Sequence, residues 1–221
     1  MMKEYSKSNL NRVKRGRIRA TYDMGKINTI IDAGFIGYVS YIYENRAITL
    51  PMAYGRKRDK IYFHSSQSNR MMLALLKAGE MSMTVMHLDA LVLARSGLHH
   101  SVNYRSATLF GQVKKLEEPK EKKDALLCFM EHFMKGRWDG IRPMHSEELN
   151  RTLVLEMTIE TASAKIRDVG VNDEPEDYGL DIWAGLVPLK QVAEYPLSDE
   201  ALSKKIAIPQ HVLDKYELNK K

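Results

Sequence analysis

The chain of 221 residues has a single cysteine, Cys128, which excludes an internal disulfide and any zinc or iron–sulfur site built from several cysteines. Its apolar runs fall well short of the ~20 residues that a membrane helix needs. The first twenty residues lack the apolar core of a secretory signal, so a cytoplasmic protein without a membrane partner is expected. Also missing are a G-x-S-x-G nucleophile elbow, a Walker phosphate loop, a G-x-G-x-x-G dinucleotide fingerprint and an H-E-x-x-H zinc helix.

Charge is present but unevenly placed. The formal net charge is +6, and residues 1–20 account for it with Lys3, Lys7, Arg12, Lys14, Arg15, Arg17 and Arg19 against Glu4. The rest of the chain is neutral. A nucleic-acid partner is therefore not expected, because no aromatic interleaving, helix-turn-helix spacing or zinc knuckle accompanies the basic arm. The arm is expected to lie over the body of the protein, with Ile18 anchored in apolar surface and Arg17 and Arg19 near carboxylates or a cofactor phosphate.

What the chain does have is alternation. Residues 35–43 and 47–54 are rich in β-branched and aromatic side chains around Glu44, Asn45 and Arg46, which predicts a hairpin; Pro51 marks an edge, a bulge or backbone turned toward a ligand. Strands are predicted over 61–64, over 81–88 and 91–94, over 104–116 with a bulge or corner at Gly111, over 152–161 with 162–167 as an extension, and in the segment after Asp181 that contains Trp183. Residues 55–60 read as a charged turn. Helices are predicted from Tyr22 to Ala33, after Arg70 as far as Gly79, and over 121–134. Six or seven strands with three helices and sequential hairpins favour an antiparallel barrel. The organisation is an arm over 1–20, one domain over 21–195 and an extension over 196–221.

Two stretches carry candidate chemistry. In the run from Lys60 to Gly79 a strand passes through Ser65, Ser66, Gln67, Ser68 and Asn69 to Arg70 at a helix start, where hydroxyl, amide, guanidinium and free backbone N–H donors suit a phosphate; an ordinary serine-rich cap has the same look. Residues 98–107, LHHSVNYRSA, crowd polar groups at a strand entry, as a binding edge or a buried hydrogen-bond network does. His87, Asp89, His99 and His100 lie close enough in sequence to gather a metal, but His87 reads as a strand residue and His99 and His100 as a loop pair pointing apart, so no metal site is assigned.

Taken in order, AITLPMAY, IYFHSSQSNR, MTVMHLDALVLARS, HHSVNYRS, GRW, SAKIR and WAGLVPL resemble the FMN-binding split-barrel proteins of the pyridoxamine 5'-phosphate oxidase-like superfamily. The resemblance runs over residues 18–195 and is nearer to the flavin-nucleotide-binding, nitroimidazole-resistance-like branch. It implies a mainly β fold, a six-stranded antiparallel split barrel with flanking helices, paired as a homodimer with the cofactor in clefts between subunits. Backbone from Pro51 through Met52 and Ala53 to Tyr54 would then line the isoalloxazine, with His64 and Ser65 at the strand end and Ser68 with Arg70 on the phosphate. Thr84 would face the same cleft, Asn103, Tyr104, Arg105 and Ser106 would contact flavin or phosphate, and Trp183 would border the ring. The resemblance makes the cofactor FMN, with FAD the variant, and the activity an oxidoreductase acting on a small molecule. His64 matches the residue proposed as reactive in the nitroimidazole-resistance proteins, against a structural histidine at a strand end. The pyridoxamine oxidase's own substrate-phosphate residues have no match here, which sets vitamin B6 oxidation aside. A flavin-binding or storage module without turnover, and a haem-binding split barrel using His64, His99 or His100, are the alternatives.

Overall fold

In the computed structural model, which describes residues 3–218, alternating apolar residues build nine strands in one antiparallel sheet. The strands are β1 (Ala20–Thr21), β2 (Ile36–Tyr43), β3 (Arg46–Ala53), β4 (Gly55–Lys57), β5 (Lys60–Ser66), β6 (Glu80–Leu93), β7 (Ser101–Lys115), β8 (Thr152–Arg167) and β9 (Gly185–Pro188). Their order is β3-β2-β6-β7-β8-β5-β4, with β1 added on β8 and β9 on β6. The expected six-stranded barrel is corrected in two ways. Three short strands join the six long ones, and the hydrogen-bonded path among the described residues stays open, with β3 and β4 at its ends.

The additions have local causes. Residues 55–60, expected as a charged turn, form the hairpin β4–β5, because Arg58 takes the left-handed conformation (φ 60°) that a two-residue turn requires. The β2–β3 turn likewise puts Glu44 and Asn45 at φ 48° and 59°. Pro51 falls on β3, an edge of the sheet, where its missing N–H costs no ladder bond.

Five helices flank the sheet: α1 (Met24–Asp32), α2 (Arg70–Ala78), α3 (Pro119–Phe133), α4 (Ser146–Arg151) and α5 (Gln210–Glu217). Helix α1 begins at Asp23, whose carboxylate accepts from the Lys26 N–H at 2.7 Å, and buries Ile27, Ile30 and Ile31. Helix α2 begins at Asn69, which accepts from the Met72 N–H, and stops at Gly79 with φ 75°. Both pack against a core that includes Val39, Phe63, Met83, Leu109, Leu155 and Met157. Helix α3 covers β4 and β5 and joins a smaller cluster of Leu116, Ala125, Leu126, Leu149 and Val154.

The arm does lie on the sheet. The Tyr5 N–H donates to Tyr22 O at 3.0 Å, and buried Asn11 donates to Thr161 Oγ1 at 2.6 Å and Ala162 O at 3.1 Å. Two parts of the expectation are not met: Ile18 is 96% exposed, because the turn over Arg17–Arg19 is held by its own backbone and points that side chain outward, and neither Arg17, whose Nε donates to Lys14 O at 3.2 Å, nor Arg19 meets a carboxylate among the described residues. Among the described residues no helix is long and apolar enough to cross a membrane.

Candidate functional site

The polar loop between β5 and α2 is fixed from within. Asn69 Nδ2 donates to Ser65 Oγ at 2.9 Å, while Gln67 Nε2 donates to Asn150 O at 3.0 Å and ties the loop to the end of α4. Ser65 is thereby engaged, and Ser68 stays at the surface with its hydroxyl 3.4 Å from that of Ser66. Arg70 opens α2, its guanidinium 4.4 Å from the centre of the Tyr43 ring and 3.4 Å from Tyr41 Oη, with the side chain exposed. Ser68, Arg70 and the first turn of α2 thus present donors to solvent on a rigid support.

Sheet register brings a second group of the expected residues together. Pro51 pairs with Tyr38, Tyr38 with Thr84, Thr84 with Thr108 and Thr108 with Ser163, so these five form one row on the face away from the core. Thr84 and Thr108 share a hydrogen bond of 3.1 Å. Ala53, opposite Ile36, and Ser106, between Met86 and Lys165, lie on the same face. Met52 is partly buried against the core, and Tyr54 is fully buried with its hydroxyl donating to Ile31 O at 2.5 Å and its N–H to Phe35 O at 3.3 Å, so the expected lining of a ligand by Tyr54 is corrected: the residue is spent on the core. Burial, with the Asp32 carboxylate nearby, raises the Tyr54 phenol well above its ordinary pKa.

His64 stands apart from both groups. It lies on β5 under α3, its ring edge-on to Phe129 at 4.4 Å, and its Nδ1 is buried without a hydrogen-bond partner. Burial lowers its pKa, which keeps the imidazole neutral. By contrast His87 bonds to Ile30 O at 2.9 Å, His132 to Gly34 O at 2.7 Å and His100 to Ser96 O at 2.8 Å, while His99 faces Glu174. His99 and His100 therefore point apart, and the described residues hold no group of histidines, cysteines or carboxylates able to bind a metal by themselves.

The residues from Asn103 to Ser106 face different ways. Asn103 is buried and bonds to Arg167 and to Val169 O, Arg105 forms a two-pronged pair with Asp89 at 2.8 and 2.9 Å, and Tyr104 lies between Leu88 and Arg167. Arg105 and Asp89 line a cleft of about 980 Å³ together with Asp32, Phe35, His87 and His132; residues 189–193 and α5 form its far wall. Trp183 is 67% exposed, with its ring folded over Gly185 at the start of β9. Neither the α3 aromatics beside His64 nor the cleft wall could be anticipated from sequence, since both come from segments far along the chain. Arg167 was visible only as the last residue of SAKIR.

Residues 23–166 match the family model described as pyridoxamine 5'-phosphate oxidase. No curated protein matches the chain. Among solved structures, the flavocytochrome Anf3 from Azotobacter vinelandii superposes with a TM-score of 0.89 at 30% identity, covering 94% of this chain and 97% of its own. An FAD- and haem-binding protein from Mycobacterium smegmatis gives 0.85 at 26% identity, covering 90% and 97%. A 5-nitroimidazole antibiotic resistance protein from Bacteroides thetaiotaomicron gives 0.57 at 22% identity over 66% of this chain and 86% of its own, a likeness of fold. With the open antiparallel sheet, the β5–α2 polar loop and a family match over most of its length, the chain belongs to the pyridoxamine 5'-phosphate oxidase family and has its flavin-binding split-barrel fold.

Proposed function

We propose that this protein is a flavin-dependent oxidoreductase that also binds haem, with His64 as the haem iron ligand. The observation that carries this reading is His64 itself: a neutral imidazole with a buried, unpartnered nitrogen, set against an aromatic wall of Phe129 and Phe133. A neutral imidazole is the ligating form, and a haem site needs apolar neighbours, so the residues present fit the group. The two neighbours that match almost the whole chain, a flavocytochrome and an FAD- and haem-binding protein, support it. The second of them favours FAD over the FMN expected from sequence.

When bound, flavin supplies hydride and single-electron transfer, and haem supplies single-electron and oxygen chemistry. The chain's own residues bind, orient and exclude water. On this reading Pro51 and Ala53 on the edge strand offer backbone to the isoalloxazine, while Thr84 and Ser106 face it from the neighbouring strands. Ser68 and Arg70 hold phosphate at the start of α2. His64, Phe129 and Phe133 form a dry wall, and Trp183 closes the site from a segment beside β9. A second copy of the chain completes the site, and the small-molecule substrate reaches the flavin from the cleft.

The test is a spectrum. Protein produced with haem supply should show a two-banded flavin absorption and a Soret band; mass spectrometry of the released cofactors separates FAD from FMN. His64→Ala should abolish the Soret band and leave the flavin bands. A Soret band unchanged in that variant, or wild-type protein that takes up no haem, overturns the haem assignment. Flavin bands that NAD(P)H and other donors never bleach would leave a binding module without turnover.

A further inference from the structure

Four arginines of this protein meet carboxylates among the described residues. Arg56 pairs with Asp32, Arg95 with Asp173, Arg105 with Asp89 and Arg142 with Glu148. Two of these pairs use the same side of the guanidinium: Arg56 and Arg105 each direct Nε and Nη2 together at the two oxygens of one carboxylate. That side-on fork matches a carboxylate or a phosphate in two parallel bonds.

Arg167, at the end of β8, has no such partner among the described residues. It is the one buried arginine among them, at 6% exposure. Its Nη1 donates to Asn103 Oδ1, and its Nε is buried with no hydrogen-bond partner. Asn103 is held in turn, donating from Nδ2 to Val169 O at 3.0 Å and accepting from the Val169 N–H at 3.4 Å. One edge of the guanidinium is therefore pinned, and the Nε–Nη2 edge has no hydrogen-bond partner among the described residues. Asn103 is neutral and does not balance the charge.

The surroundings add positive charge. Burial acts against the Arg167 cation, and so does Arg19, just before β1. Lys165 lies two residues away on β8, opposite Ala20 of β1, with its ammonium leaning toward Gly16 of the arm and no ion pair among the described residues. Tyr104 stands across the ladder from Arg167 with a further hydroxyl. A buried cation beside like charges is unfavourable alone and favourable toward an anion.

We propose that Arg167, oriented by Asn103 and flanked by Arg19 and Lys165, binds the phosphate or carboxylate group of a small anionic ligand. The flavin-and-haem reading is needed only to say which ligand: flavin diphosphate and haem propionate both carry the required oxyanion. The site is distinct from the Arg70 loop. Tyr38 and Ser163 share a row of the sheet; Tyr43, under Arg70, lies five residues beyond Tyr38 toward one end, and Arg167 lies four beyond Ser163 toward the other. At ~3.3 Å per residue the two arginines of one chain stand on the order of 30 Å apart, too far to hold the same phosphate. The basic arm has a part in this site, because it carries Arg19 there.

The experiment uses inorganic pyrophosphate as probe, titrated by calorimetry into full-length protein with Arg70→Ala in the background, so that the helix loop does not contribute. Adding Arg167→Gln should weaken pyrophosphate by about 10- to 100-fold, the scale of a lost charged hydrogen bond. Arg19→Gln, at an exposed position with no bearing on folding, should weaken it severalfold. Pyrophosphate affinity that neither variant changes, or wild-type protein that does not bind the probe, overturns the proposal. The source is then read by comparing FAD with riboflavin and haem with its dimethyl ester. The pair whose charged member loses its advantage in Arg167→Gln names the ligand, and an advantage kept in both pairs rejects a cofactor there. Wild-type protein that binds neither flavin nor haem would defeat the proposed function, while the pyrophosphate arm still decides the site.

Discussion

Arg70 has its guanidinium over Tyr43 and its charge in solvent, so it contributes little to the fold, and its value is to whatever anion reaches the start of α2. Arg70→Ala should leave the unfolding midpoint in place, weaken the flavin nucleotide by about 10- to 100-fold and hardly change riboflavin, which has no phosphate. Equal weakening of both ligands in a fluorescence titration would reject Arg70 as the phosphate residue. This residue was legible in the sequence because its cues are local: Ser65 to Asn69 precede it, an apolar helix follows, and Gly79 closes that helix. His64 was legible as a candidate but not in its setting. Nothing near it in the chain shows that Phe129 of α3 lies across its ring, or that His87 and His132 already spend a nitrogen on backbone carbonyls. Asn103 illustrates the reverse case, where a polar residue in a dense polar run is used up in orienting Arg167.

Among the elements, the long strands could be read because their burial alternates; β2 alternates exposed and buried along nearly its whole length, and its hairpin with β3 is marked by Glu44 and Asn45. Of the short elements, β9 could be read from the apolar run after Asp181, but β4 and α4 could not. Strand β4 has three residues and α4 has six, too few for a period to show, and they exist because β5 offers a free edge and β8 a surface to dock on. Gly111 lies between these cases. The sequence marks it as a bulge or corner, and the β7–β8 ladder shifts register between Phe110 and Gly111. A Cβ at this position would sit 1.8 Å from Thr158 O, inside the neighbouring backbone. Gly111→Ala must therefore spread the two longest strands of the sheet at its centre, at a cost of about 3 kcal/mol or more. Urea unfolding with a midpoint near that of the wild type would show that the ladder relaxes freely and that the bulge does not depend on glycine.

On the scale of the whole molecule, two surfaces are out of balance. The first is the basic arm, which is tied down by Asn11 on Thr161 and Ala162 and by Tyr5 on Tyr22, so its charge is presented beside β8 and not on a free tail. The second is apolar. On the face of the sheet away from the core, Ile36 and Tyr38 of β2 and Met86 and Leu88 of β6 are exposed, and Trp183, Leu186 and Val187 extend the apolar surface around β9. The same face carries Pro51, Thr84 and Ser106, the residues proposed above to face the flavin. Large apolar side chains gathered on one face mark an association surface, and a flat sheet face without a cleft of its own holds a planar ring only when a second surface covers it. A second copy of the chain would do this by two-fold symmetry, and burying both copies of the face would give an interface in the obligate range above ~2,000 Å². The expected result is a homodimer by light scattering at every practical concentration. Met86→Glu, aimed at the centre of that face and away from the core, should yield monomers that keep the folded circular dichroism spectrum and lose flavin. A monomer that retains flavin would show that one chain builds the whole site, and would move the flavin from the sheet face to the cleft lined by Arg105 and His132.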